Sequence, residues 1–169
     1  MTTLASQVDA AIGWTLAIRD VPAHNGTRAT IARGAAPQHF AAAYDALAAA
    51  GHLAELPAKV RTGAVIACAI AADNSRIPNG RGPLAAAFRR IDSPNIGKLI
   101  TLAASSQVPV ASRLIGSLVR RAGDVGAPVN FFDLGRTLAF WDTGSLTSRR
   151  EHRNRLIFDF HAPTKENHS

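Results

Sequence analysis

The chain has 169 residues, a length that suits one domain burying roughly 68–70% of the surface that its unfolded form exposes. Hydrophobic residues make up 47% and aromatic residues 6%, and alanine supplies much of the apolar content, which favours closely packed helices. The net charge of +7 and the sequence pI of about 11.0 favour a polyanionic partner such as nucleic acid. A single cysteine, Cys68, excludes an intrachain disulfide and a multi-thiolate metal site.

These features predict an all-α protein, a compact bundle of about seven to nine helices packed as two halves. Residues 1–92 are expected to form the N-terminal half, residues 93–161 the C-terminal half and residues 162–169 a flexible tail. The longest apolar run, residues 63–72, has about half of the ~20 residues needed to span a bilayer, and the start of the chain lacks the pattern of a secretion signal. We therefore expect a cytoplasmic protein with no membrane partner.

Five helices are predicted in the first half, four of them before the polar segment at residues 73–83. Thr3 is placed to cap the first, and Thr27 to cap a short basic helix at residues 28–33. Pro37 suits the first turn of the third helix. Pro57 opens the fourth, which is apolar on every side near its middle and is therefore expected to be buried at the centre of this half.

The third helix carries Phe40 and Tyr44 on one stripe with Leu47. Aromatic side chains are able to stack on nucleic-acid bases. At helical spacing they more often belong to a hydrophobic core, and we interpret them in that way.

A polar, glycine-rich segment at residues 73–83 follows and carries Arg76 and Arg81. Its G-x-G is not followed by the glycine or the Lys-Ser/Thr of a nucleotide-binding loop, so it is a weak phosphate-loop candidate. A short helix is predicted from residue 84 to residue 91, and we place the boundary between the halves near residue 92.

The clearest amphipathic helix begins at Pro109, and its polar face carries Arg113, Arg120 and Arg121. No acidic residue occurs from residue 107 to residue 123, whereas ordinary surface helices mix signs to form ion pairs. This imbalance favours a binding face, although a solvated helix face is the alternative.

Asn130 is predicted to cap a helix that turns Phe131, Leu134, Leu138 and Trp141 toward the core. After a break, a further helix is expected to begin at a capping box formed by two residues three positions apart, Ser148 and Glu151.

Arg149, Arg150 and Arg153 crowd the first turns of that predicted helix, where the helix dipole disfavours cations. One interpretation is a solvated helix start in an arginine-rich chain. The other is that the three guanidinium groups face a phosphate backbone. The sequence leaves both open.

Little in the sequence supports catalysis, and we expect no enzyme activity, no cofactor and no metal site. Glu151-His152 lacks the second histidine of a zinc-binding H-E-x-x-H motif, and the acidic residues are few and scattered. An enzyme with a pocket near Asp20, His24 and His52 is an alternative for which no activating partner is found.

Several segments occur in a specific order along the chain: a first helix containing Trp14, the basic RATIAR with Arg28 and Arg33, AVIACAIAA, GRGPLAAAFRRI, and the helix from Leu114 to Arg121. DLGRTLAFW and SRREHRNRLIFDF follow. This order resembles the small subunit of type I-E CRISPR Cascade, the CasB family, and the last two segments are its most specific part. The resemblance covers roughly residues 8–161.

The resemblance implies an all-helical, non-catalytic subunit of an antiviral effector complex. Such a subunit is paired with a second copy, contacts other Cascade subunits, and lines the path of the guide RNA (crRNA), the target DNA and the displaced DNA strand. Helix faces that carry arginines and no acidic residues suit this role, because they bind the phosphate backbone and do not read the edges of the bases.

The candidate nucleic-acid-binding residues, each as a phosphate contact, are Arg28, Arg33, Arg81, Arg89, Arg90, Arg113, Arg120, Arg121, Arg149, Arg150 and Arg153. The alternative function is a helical DNA-binding transcriptional regulator that uses residues 113–121 as a recognition helix, although no tight helix-turn-helix spacing supports it.

Overall fold

The structure, a computed structural model, describes residues 3–162. Within this range the chain forms nine α-helices and two short 3-10 turns, Pro22–His24 and Pro37–His39, and contains no β-strand. The all-α prediction is confirmed. The helices are α1 (Leu4–Ile18), α2 (Asn25–Ala32), α3 (Phe40–Ala49), α4 (Ala58–Asp73), α5 (Leu84–Phe88), α6 (Ile96–Ala104), α7 (Val108–Asp124), α8 (Phe131–Ala139) and α9 (Leu146–His161). Apart from Ala162, the predicted tail lies outside the described residues.

Helix α4 is buried along most of its length, as predicted. Every residue from Gly63 to Ala72 is buried, and the helix packs against α8, α2 and α1. Gly63 permits the closest approach, because a Cβ added there would lie 2.0 Å from the carbonyl oxygen of Leu138 in α8. The backbones of α4 and α8 therefore cross in direct contact.

One hydrophobic core includes helices from both sides of residue 92. The predicted stripe of Phe131, Leu134, Leu138 and Trp141 is fully buried, and α8 packs on both α1 and α4. The division into two halves stays a sequence prediction, while these contacts show helices from both halves sharing one core. None of the helices in residues 3–162 is long and apolar enough to cross a bilayer.

Two of the predicted helix caps are confirmed. The side chain of Thr3 accepts a hydrogen bond from the backbone N–H of Ser6 at 3.1 Å, and Asn130 accepts from that of Asp133 at 3.1 Å. Each satisfies a backbone donor that the first helical turn leaves without a partner.

Two other predicted helix starts are wrong. Helix α2 follows directly from the 3-10 turn that ends at His24, so Thr27 lies inside the helix instead of capping it. Helix α9 is capped by Ser145, whose hydroxyl accepts from the N–H of Ser148 at 3.1 Å. Since α9 begins at Leu146, the nearby arginines lie beyond its first turn, where the dipole effect is weaker.

The glycine-rich segment at residues 73–83 is fixed to the start of α8. The N–H of Gly80 donates to the carbonyl of Val129 at 2.8 Å, and the N–H of Val129 donates to the carbonyl of Pro78 at 3.1 Å. The carboxylate of Asp133 accepts from the N–H of Leu84 at 2.6 Å. These bonds place the starts of α5 and α8 side by side.

Candidate nucleic-acid interface

The beginning of α9 lines a polar cavity of about 450 Å³. We name it the basic cavity, and its walls are Lys59 and Thr62 of α4, Gln107, Val108, Asp142, and Arg149 and Arg153 of α9. Three of these seven residues are cationic, and Asp142 is the one carboxylate. The cavity therefore has an excess of positive charge on the helices that form it.

A larger and mostly apolar cavity of about 570 Å³ adjoins it. We name this the apolar cavity, and its walls are residues 34–37, Phe40, Thr62, Ile66, Val108, Pro109, Ser112 and Arg113. Thr62 and Val108 belong to the walls of both cavities, so the two lie side by side. Together they form one groove, which we name the α4–α7–α9 groove.

The groove is built at the N-terminal ends of three helices. Lys59 lies in the first turn of α4, Gln107 precedes the first residue of α7, and Arg149 follows the first turn of α9. None of these three helices has an acidic residue in its first turn. The partial positive charge of the helix dipoles therefore adds to that of the side chains.

Two arginines of the basic cavity differ in how they are held. Arg153 forms an ion pair with Asp142, its Nε donates to the carbonyl of Trp141 at 3.1 Å, and its guanidinium carbon lies 5.3 Å from the centre of the Trp141 ring. Arg149 is half-buried, and its Nε has no hydrogen-bond partner among residues 3–162. Arg153 is therefore a structural part of the wall, whereas the Nε of Arg149 is a buried donor that no group among residues 3–162 satisfies.

Four more of the predicted arginines are exposed at the groove or on the helices that form it. Arg33 is exposed and directly precedes Gly34 in the wall of the apolar cavity, and Arg150 is exposed beside Arg149. Arg113 and Arg120 are exposed on α7. Because they are seven residues apart, they share one face of this helix and are separated by about 10 Å along it.

The remaining predicted arginines are not brought to the groove. Arg28 donates to the carbonyl of Ala72 at 3.4 Å, near the far end of α4 and about 20 Å along the helix from Lys59. Arg89 donates to the carbonyl of Ala162 at 2.8 Å. Arg81 and Arg90 are exposed in the segments around α5, and Arg121 is half-buried in the last turn of α7.

Four arginines outside the predicted set are engaged within the protein. Arg136 forms an ion pair with Asp9, and its hydrogen bonds to this carboxylate raise the pKa of Arg136. Arg155 pairs with Asp133 at 3.1 Å and more distantly with Asp159. Arg19 lies 5.1 Å from the centre of the Phe131 ring and Arg61 lies 5.1 Å from that of Tyr44.

The sequence interpretation missed the part played by Lys59, Gln107 and Thr62. Lys59 is a lone cation at the start of an otherwise apolar helix, and nothing near it in the sequence indicates a cluster. The available signal was its position two residues after Pro57, which put it in a first helical turn.

The residues considered above for catalysis lie outside the walls of the groove. Cys68 is fully buried, and burial raises the pKa of its thiol to about 12. His24 and Asp20 are exposed, while the His52 ring lies 5.6 Å from that of Trp14. Within residues 3–162, no three His, Cys, Asp or Glu side chains are grouped so that they could hold a metal ion.

Comparisons with models of protein families, with curated proteins and with solved structures found no match to this chain.

Proposed function

We propose that the chain binds nucleic acid through the α4–α7–α9 groove, without catalysing a reaction. The observation that carries this proposal is the convergence of Lys59, Arg113 and Arg149 on one groove in which Asp142 is the only carboxylate of the wall. Because Asp142 is already paired with Arg153, the other cations remain available for phosphate oxygens. Such contacts hold a backbone without reading its sequence.

The biological setting that we propose is the small subunit of a type I-E CRISPR Cascade effector complex. The support is the resemblance of segment order together with an all-helical fold and a basic groove. In this setting the subunit holds guide RNA, target DNA and the displaced strand, and thereby stabilises the R-loop. Base pairing then reads the sequence, while basic protein surfaces hold the strands.

A salt titration of oligonucleotide binding tests the groove. We expect Arg113→Ala combined with Arg149→Ala to weaken binding of single-stranded DNA. The slope of log affinity against log salt should become shallower by about 1.4, because each lost phosphate contact on a single strand contributes about 0.7.

The matched control is Arg136→Gln combined with Arg155→Gln. It removes the same net charge from arginines that already hold carboxylates. Its slope should equal that of the unchanged protein. Equal slopes for both double variants would show that the groove makes no phosphate contacts.

Membership of the complex is tested by purification of a tagged chain together with the products of the neighbouring genes. We expect a particle that contains guide RNA and more than one copy of this chain. A chain that purifies alone in the presence of an assembled guide-RNA complex would contradict the proposed setting and leave the groove proposal standing.

The second candidate function is a DNA-binding regulator that reads base edges through α7. Arg113, Ser117 and Arg120 are exposed along this helix, and this is the observation that favours it. A regulator would prefer one duplex sequence by about 10³-fold or more over others. A backbone-binding subunit would bind unrelated sequences with similar affinity.

A further inference from the structure

The apolar cavity contains an aromatic side chain that the core does not fully cover. Phe40 is half-buried and belongs to the cavity wall beside Pro37 and Ile66. Its neighbour one turn later, Tyr44, is instead held by Arg61, which lies against the ring and donates to its hydroxyl at 3.3 Å. Of these two rings, that of Phe40 is the one that faces the groove.

The composition of the groove fits an occupant that is flat and apolar at one end and anionic at the other. Phe40, Ile66 and Val108 supply apolar surface, while Arg113 lies in the same wall. Beyond the shared residues Thr62 and Val108, Lys59 and Arg149 supply the cations. A nucleotide with an unstacked base has these two ends. Its base offers a flat π-face, and its phosphate supplies the negative charge.

The polar groups of the apolar cavity suit the edge of a base. The Thr62 hydroxyl donates to the carbonyl of Ala58 at 3.0 Å, so its hydrogen is already used. Its oxygen keeps lone pairs that accept a hydrogen bond. Exocyclic amino groups of bases are donors, and an acceptor at this edge is therefore complementary to them.

We propose that the apolar cavity takes one unstacked nucleobase of a single strand, stacked on Phe40, while the adjoining phosphates contact the basic cavity. This inference rests on the proposed nucleic-acid-binding function and adds single-strand selectivity to it. A base inside a duplex has to leave its stack before it enters such a cavity, at a cost in free energy. The groove therefore binds single strands in preference to duplexes.

The test uses single-stranded DNA that carries the fluorescent base 2-aminopurine near its centre, and compares the full chain with Phe40→Leu. We expect binding to change the fluorescence of the probe. Phe40→Leu should abolish this change and weaken binding about 5- to 150-fold, the range that stacking on one aromatic ring supports. The salt slope should stay unchanged, because no phosphate contact is removed.

Two controls separate loss of stacking from damage to the fold. Tyr44→Leu removes the other aromatic ring of the same helix and should leave the fluorescence change in place. The second control uses the unchanged protein and a strand that contains abasic sites. The protein should bind this strand more weakly than the strand that has all its bases.

The inference and the proposed function fail in distinguishable ways. If Phe40→Leu and the abasic strand bind as tightly as their references while the Arg113 and Arg149 variant still flattens the salt slope, the base-binding inference is overturned and the groove function stands. The apolar cavity would then be assigned to a side chain of a partner protein. If the unchanged protein binds no oligonucleotide, both proposals are overturned.

Discussion

The guanidinium of Arg153 lies over the ring of Trp141, 5.3 Å from its centre, and also donates to the backbone carbonyl of Trp141. These contacts join the middle of α9 to the residues that follow α8. Arg153, which the sequence analysis predicted to contact phosphate, therefore supports the groove wall. Removing it together with Arg149 and Arg150 would mix a change in stability with a change in binding.

The first prediction separates these effects. We expect Arg153→Ala to lower the free energy of unfolding by about 1–3 kcal/mol, because it leaves the half-buried Asp142 without its ion-pair partner and removes a charge-assisted hydrogen bond. The control Arg150→Ala removes an exposed arginine of the same helix and should change stability by less than about 0.5 kcal/mol. Urea unfolding of both variants is the measurement. Equal stabilities would show that Arg153 does not support the wall.

The second prediction concerns the crossing of α4 and α8. A methyl group at Gly63 would overlap the carbonyl group of Leu138, and backbone atoms have little room to retreat. We expect Gly63→Ala to lower the free energy of unfolding by about 1–3 kcal/mol or more.

Gly26→Ala is the matched control for that substitution. Gly26 is an exposed glycine of α2, and an added methyl group would meet no atom within 4 Å. This variant should be unchanged or more stable by up to about 1 kcal/mol. Similar losses in both variants, measured by thermal or urea unfolding, would contradict the close crossing.

The third prediction follows from His152, whose Nε2 lies 2.9 Å from the carbonyl oxygen of Thr137. Burial is the main cause that lowers the pKa of His152 below its ordinary value of 6.5, and Arg155 and Arg153 act in the same direction. The hydrogen bond to the Thr137 carbonyl and the charge of Asp133 oppose this shift without reversing it. The unfolded chain therefore binds a proton at a higher pH than the folded chain does. Stability contributed by neutral His152 is present above about pH 6.5 and is lost as the pH falls below it.

His152→Gln tests this contribution, because glutamine does not titrate and its amide is able to donate to the same carbonyl. We expect the fall in the free energy of unfolding below pH 6.5 to become shallower in this variant. The measurement is urea unfolding at a series of pH values between 5 and 8. An identical pH dependence in both proteins would show that His152 titrates alike in the folded and unfolded chains.

Features that depend on local chemistry were predictable from the sequence. The Thr3 and Asn130 caps and the buried stripe from Phe131 to Trp141 each follow from side chains within a few positions of one another. The start of α9 was missed because Ser148 matches a capping box with Glu151. Gly144, whose φ of +85° suits glycine, marks the earlier start at Ser145.

The site itself was only partly predictable. Arg113 and Arg149 stood out because they lie in basic segments that the sequence displays directly. Their meeting with Lys59 depends on which helix ends converge when the bundle packs, and no spacing along the chain encodes that. The ion pairs of Arg136 with Asp9 and of Arg155 with Asp133 are equally non-local, and so the sequence alone did not distinguish the internally engaged arginines from those that line the groove.

The packing of α8 against α1 and α4 also constrains when the protein is able to fold during its synthesis. The apolar faces of the first helices have no complete partner until the segment that ends at Ala139 has been translated. The emerging chain therefore carries exposed apolar surface until α8 has been synthesised, a period in which nascent proteins are prone to aggregate. Complete burial of those faces waits for α8.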